Sequence, residues 1–228
     1  MHRSNRPVTM PRAPRKRAAP FACRLVIMAK MPVAGRVKTR LAREIGTTTA
    51  TRFYRTAAGN VMARLGNQPF WRTSIAISPD NSATNPNPIL PRHIPCHPQR
   101  GGSLGHRMHR PMRTMPPGPV CVIGTDVPSI AVTDVRRAFR LLGQCDAVFG
   151  PAEDGGFWLV GFKRRPRVVW PYTDVGWSQS DTLAQVLANL TANEQTIGMT
   201  TRLSDVDMAA DLTQDGGRYA RRVRPLTA

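Results

Sequence analysis

Acidic side chains and aromatic rings are what this chain has least of. Only 14 of its 228 residues are Asp or Glu, against 33 Lys and Arg, giving a formal net charge of +19. That imbalance favours anionic partners such as nucleotides, nucleic acid or a membrane surface, without choosing among them. Aromatic residues make up 6%. Neither a stacking motif nor a recognition-helix signature accompanies the charge, which speaks against a nucleic-acid-binding protein. No run of about 20 apolar residues occurs, so no transmembrane helix is expected. The four cysteines (Cys23, Cys96, Cys121 and Cys145) are widely spaced. They fit small core residues of a reducing compartment better than a zinc site. A Walker G-x-x-x-x-G-K-[ST], a Rossmann G-x-G-x-x-G and a G-x-S-x-G elbow are all missing. His93, His97, His106 and His109 lie in loop-like sequence without ligand spacing and are expected at the surface. No internal repeat is evident.

What is present suits one large α/β domain. At 41% hydrophobic, a chain of this length can bury a sizeable core without staples. Residues 1–20 carry six cations, several prolines and no acid, a composition expected to stay disordered. Phe21 to Ala29 resembles a secretory h-region, but Arg24 interrupts it and no cleavage site follows. We read it as the first strand (Arg24 to Ala29) and expect a cytoplasmic protein. A domain over 21–217 and a basic tail over 218–228 complete the division.

Within the domain, Lys30 to Arg40 is a cationic loop and Thr47 to Leu65 a threonine-capped helix. Thr73 to Ser78 is a strand, and a short strand is expected near His93 to Cys96. Ser103 caps a helix that Pro111 should kink or end early. Thr133 is expected to cap a helix to about Leu142, and Ser178 one to Leu190. Strands follow over Asp146 to Phe149, Phe157 to Phe162 and Thr196 to Leu203, and Asp207 opens a last short helix. Such alternation argues for a mostly parallel sheet with helices on both faces.

The organising stretch is Cys121-Val122-Ile123-Gly124-Thr125-Asp126-Val127-Pro128. A buried β-branched strand stops at Gly124, and Asp126 follows at the carboxyl end, where ligands of open α/β sheets collect. A carboxylate there suits a divalent cation. It equally suits a turn cap. Two further loops should gather at the same sheet edge. One carries Arg36, Lys38 and Arg40 around Gly35, a cradle for a diphosphate. The other is Glu153-Asp154-Gly155-Gly156, where a carboxylate could act as base towards an acceptor hydroxyl, or where the chain makes a D-G hairpin turn. Asp205, Asp207 and Asp211 form another acidic cluster, fit for a metal or for a capped helix start.

In order, Ala29-Lys30-x-Pro32-x-x-Gly35-x-Val37-Lys38-Thr39-Arg40-Leu41, Gly124-Thr125-Asp126-x-Pro128, Gly150 to Phe157, Trp177-Ser178 and Asp205-Val206-Asp207 resemble a known family. It is that of the bacterial glycosyltransferase-like proteins of arsenosugar biosynthesis, similar in turn to phospholactate guanylyltransferase and the molybdenum-cofactor nucleotidyltransferases. The resemblance covers about residues 22–215. It implies a single GT-A (nucleotide-diphospho-sugar transferase) domain, a magnesium or manganese ion, a nucleotide donor and a small acceptor. It implies that Lys30, Gly35, Arg36, Lys38 and Arg40 face donor phosphates and that Asp126 and Asp207 ligate the metal. Glu153 and Asp154 would be catalytic, with Gly155, Gly156 and Trp177 lining the acceptor or sugar pocket. Three residues depart from the family pattern: Ser103 stands where an acid is usual, Met208 where a Thr is usual, and Pro111 interrupts a helix. The expected reaction is glycosyl transfer to a small acceptor. The alternative is nucleotidyl transfer from a nucleoside triphosphate with release of pyrophosphate.

Overall fold

In the computed structural model, residues 21–84, 89–164 and 168–214 are described. The basic stretches expected over 1–20 and 218–228 lie outside the described residues. Among the described residues seven strands form one sheet in the order β3-β2-β1-β4-β6-β5-β7. They are β1 (Arg24–Lys30), β2 (Arg72–Ser78), β3 (Cys96–Pro98), β4 (Val120–Ile123), β5 (Ala147–Pro151), β6 (Phe157–Phe162) and β7 (Ile197–Met199). Only β6 runs antiparallel, to both β4 and β5. The sheet is therefore mostly parallel, as the alternation of strands and helices predicts.

Side-chain alternation along β1 shows why both faces must be covered. Leu25, Ile27 and Ala29 point into one core with Tyr54, Ala58 and Val61 of α2 (Thr47–Gly66) and Val135 and Ala138 of α4 (Val132–Leu141). Val26 points the other way, into a second core with Met108 and Met112 of α3 (Leu104–Thr114) and Val186 and Leu190 of α5 (Thr182–Ala192). A strand buried on both sides reads as the continuous apolar run seen in the sequence. A third small core joins Leu41 of α1 (Thr39–Ile45) to Phe53, Ala57 and Val206. Among the described residues the final helix is α6, Asp211–Gln214. Among the described residues no helix is long and apolar enough to cross a membrane.

Several local expectations are corrected. Pro111 sits inside α3 without ending it. Buried Met108, His109 and Met112 hold that helix against the sheet, and packing of one face outweighs local propensity. For the same reason His109 is buried, where a surface histidine was expected. Helix α2 starts after Gly46 with no threonine cap. Helix α4 is capped at Ala131, whose N–H donates to the Asp134 carboxylate at 2.8 Å, and Thr133 lies inside it. Helix α5 follows Asp181, and Ser178 precedes it in a left-handed conformation, φ 62°. Asp207 does not open a helix; its N–H donates to Asp211, whose own position starts α6.

Candidate functional site

Strand order reverses between β1 and β4: the chain moves from β1 through β2 to the edge strand β3, then returns to place β4 on the other side. Such a switch point opens a crevice beyond the strand carboxyl ends. Here it lies between Lys30 at the end of β1 and Asp126 beyond β4. Tyr54 fixes its floor. Its hydroxyl accepts from the Lys30 N–H at 2.8 Å, faces Lys30 O at 3.0 Å and lies 3.2 Å from Thr125 Oγ1. From the α2 side, Arg64 donates to the carbonyls of Pro128 and Ile130 at 2.8 and 2.6 Å, holding the loop that carries Asp126.

Lys38 occupies the centre. Its side chain is 5% exposed, and Nζ lies 2.7 Å from Asp126 and 2.9 Å from Asp207. Burial pulls its pKa down, but the two carboxylates outweigh burial and the net shift is upward. Lys38 is left-handed, φ 46°, immediately before α1. Arg40 reaches the other Asp207 oxygen at 3.4 Å from an exposed position. Asp207 arrives because Val206 is buried in the third core and its N–H donates to Asp126 O at 3.1 Å. In that extended segment Asp205 and Asp207 flank an inward-facing valine. Burial, then the charges of Asp154 and Asp207, push the Asp205 carboxyl up to about 6, with Lys38 opposing.

Two cavities meet over these residues. The first, about 470 Å³, is lined by Lys30, Lys38, Tyr54, Gln99, Arg107 and Asp126, among others. The second, about 290 Å³, is lined by Asp126, Asp154, Gly156, Phe157, Trp177 and Asp205, among others. Asp126, Gly124 and Ser178 line both. Lys30, Lys38, Asp126, Asp207, Asp154, Gly156 and Trp177 thus come together around one crevice. Arg36 and Glu153 are exposed and line neither cavity, and Gly35 is a left-handed turn residue with open space around it. Gly155 serves packing: a Cβ there would stand 1.8 Å from Ser180 O.

Sequence reading missed Tyr54, Gln99 and Arg107. Gln99 is buried, with Nε2 donating to Ala29 O and Ala76 O at 3.0 and 2.9 Å, and Oε1 accepting from Arg107 at 3.2 Å. The available signal was slight: Gln99 stands two residues before Gly101-Gly102 and three beyond the short strand expected to end at Cys96. Among the described residues no three His, Cys, Asp or Glu side chains gather as a metal-ligand set. Asp126 and Asp207 do offer hard oxygen donors to one shared cation, the Lys38 ammonium. Two carboxylates completed by phosphate oxygens is a donor set that suits magnesium.

The fold and the crevice define a nucleotide-diphospho-sugar transferase-like α/β domain. Residues 61–179, just over half of the chain, match a family described as an uncharacterized protein conserved in bacteria (DUF2064), and the chain belongs to that family. A protein of Desulfovibrio desulfuricans G20, provisionally named a nucleotide-diphospho-sugar transferase, is 22% identical, with TM-score 0.76 over 88% of this chain and 94% of its own. The 4-diphosphocytidyl-2C-methyl-D-erythritol synthase of Anaerococcus prevotii DSM 20548 is 10% identical, with TM-score 0.55 over 90% and 99%. CMP:2-keto-3-deoxy-manno-octonic acid synthetase, solved with CTP, is 13% identical, with TM-score 0.54 over 88% and 99%. At these identities the likeness is one of fold. No curated protein matches the sequence.

Proposed function

We propose that this chain is a glycosyltransferase, moving a sugar from a nucleoside-diphosphate donor in the first cavity to a hydroxyl of a small acceptor in the second. The observation that carries the reading is the difference in charge between the cavities. Lys30, Lys38 and Arg107 line the first together with Asp126 and Asp207, so cations are in excess there. Asp126, Asp154 and Asp205 line the second, which has no Lys or Arg among its lining residues. A phosphate-bearing acceptor would meet those carboxylates, and like charges about 4 Å apart repel by about 4 kcal/mol at an effective dielectric of 20. A neutral hydroxyl compound resting on Phe157 and Trp177 meets no such cost.

In the reaction, a bond forms between the acceptor oxygen and the sugar carbon as the bond from that carbon to the diphosphate oxygen breaks. Its electron pair leaves with the nucleoside diphosphate, and the acceptor proton goes to Asp154. Lys30 and Lys38 place positive charge beside the leaving group, where charge develops. Asp126 and Asp207 would hold a magnesium or manganese ion, which supplies further charge neutralisation when bound. Asp154 keeps its aim because Oδ1 accepts from the Gly156 N–H at 2.9 Å.

The second reading, nucleotidyl transfer with release of pyrophosphate, is favoured by the activities named for the Anaerococcus protein and for the synthetase solved with CTP. A thermal-shift screen of nucleotide sugars and nucleoside triphosphates, with and without magnesium or manganese, tests both. A ligand at 100 times its Kd stabilises by about 2.7 kcal/mol. Acceptor-dependent release of nucleoside diphosphate supports glycosyl transfer, pyrophosphate supports the second reading, and no metal-dependent nucleotide shift removes both.

A further inference from the structure

A third cavity, about 480 Å³, shares Gln99 and Arg107 with the first and runs between the edge strand β3 and helix α3. His97 of β3 is in register with Ala76, which packs with Met108 and Met112 and also lines this cavity. His97 therefore faces α3 and not the opposite side of the sheet. Four basic side chains, His97, Arg100, Arg107 and Arg110, line the space, and no Asp or Glu does. Among the described residues none of these arginines is in an ion pair. Asp80 accepts the Arg100 backbone N–H at 2.8 Å.

How the donors are used identifies what is left for a ligand. Arg110 is fixed by the carbonyls of Gln99 and Gly101, so its charge is held in place without being neutralised. Arg107 gives one terminal nitrogen to Gln99 Oε1 at 3.2 Å. Arg107 Nε and His97 Nε2 are buried atoms with no hydrogen-bond partner. The Arg107 Nε–H is thus an unpaired buried donor, a standing cost that a bound acceptor removes. Three guanidinium groups around a concave space without a carboxylate, with the His97 imidazole on its wall, match the tetrahedral oxygens of a phosphate group. The volume is that of a small-molecule site. Apart from His97 no aromatic ring lines it, so bases of a nucleic-acid strand have nothing to stack on.

We propose that the cavity between β3 and α3 is a second anion site, binding a small phosphate-bearing compound separately from the nucleotide cavity. Inorganic phosphate is the probe, and the His97 imidazole NMR resonance, assigned with His97→Gln, is the readout. Phosphate should shift that resonance saturably, and chloride at equal ionic strength should not. The shift should persist in Lys38→Ala, which disables the first cavity. Arg100→Gly should weaken it about tenfold, the worth of one charge-assisted contact. Arg100 is exposed with φ 63°, a conformation glycine adopts freely, so this variant should fold. The proposal is overturned if the shift does not saturate, if chloride reproduces it, or if Lys38→Ala abolishes it. It is equally overturned if Arg100→Gly leaves the affinity unchanged, or if short single-stranded RNA moves the resonance while phosphate does not. Nucleotide binding, scored separately by thermal shift, decides the transferase reading without touching this one.

Discussion

Lys38 is the residue on which the crevice depends, and it is held against two local preferences. A left-handed, non-glycine backbone costs about 1–2 kcal/mol, and burying an ammonium costs more unless it is paired. Both costs are offset by two short contacts to Asp126 and Asp207. The partners are unequal: the Lys38 side chain is 5% exposed, whereas those of Asp126 and Asp207 are 56% and 39% exposed. Removing one carboxylate leaves a buried charge with a single partner, while removing the lysine returns two half-solvated carboxylates to water. Asp126→Asn should therefore cost about 1–2 kcal/mol in urea denaturation, and Lys38→Met less, with the double variant better than the sum of the two. The reverse order of losses would mean that the pair is a surface contact. Sequence made Lys38, Asp126 and Asp207 visible one by one, from loops after strands. It could not show that Lys38 sits between the two acids, because that pairing joins residues 169 positions apart. Gln99 and Arg107 escaped notice for a similar reason, since their importance lies in what they touch across strands.

At the scale of elements, the central strands were the legible part, whereas the edge strands differ from expectation. β3 is Cys96–Pro98 and not His93 to Cys96, and β7 is only Ile197–Met199 within the expected Thr196 to Leu203. Runs such as Arg24–Lys30 and Phe157–Phe162 are apolar throughout because both sheet faces are covered, and their ends coincide closely with the expected ones. Helix starts were legible only in part. Ser103 caps α3 as expected, its hydroxyl accepting from the His106 N–H at 3.3 Å, whereas Thr133 and Ser178 have cap chemistry but the chain turns elsewhere. Ser178 is instead part of a loop packed tightly on Gly155, where Leu183 N–H donates to Gly155 O at 3.0 Å. Gly155→Ala adds a Cβ at φ 85° that meets Ser180 O at 1.8 Å. It should destabilise by about 2–4 kcal/mol, read as a lower Tm, with the loop bearing Trp177 displaced. An unchanged Tm would show that this loop yields freely. Helix α3 carries a pH signature. His109 is 7% exposed between the rings of Trp170 and Tyr172. Burial, then Arg113 and His106, push its pKa down to about 4. The unfolded chain binds that proton near pH 6.5 and the folded chain does not, so stability is lost as pH falls from 6.5 towards 4. The loss amounts to about 2–3 kcal/mol. His109→Phe should flatten the wild-type Tm slope over that window; a parallel slope in the variant would assign it to other groups.

Across the whole molecule, the two adjoining cavities divide the work, and the division can be measured. If Lys38 holds donor phosphates as well as the acids, Lys38→Met removes a charge-assisted contact worth about 1.5–3 kcal/mol. Donor affinity should then fall roughly ten- to a hundredfold. Asp154 lies in the second cavity, outside the lining of the first. Asp154→Asn retains shape and the hydrogen bond to Gly156 while removing the proton acceptor. Donor affinity should barely change, and turnover at saturating donor should fall about 10²–10⁴-fold, the usual worth of a general base. Asp205, in the same cavity, tests whether the effect belongs to the base or merely to negative charge. Asp205→Asn removes equal charge and should cost turnover much less than Asp154→Asn. Equal losses from both would mean that the pair acts as one electrostatic unit and that no single base exists. Loss of donor binding in Asp154→Asn, with normal turnover at saturation, would move the Glu153 to Gly156 loop into the donor site and leave the acceptor cavity without its proposed chemistry.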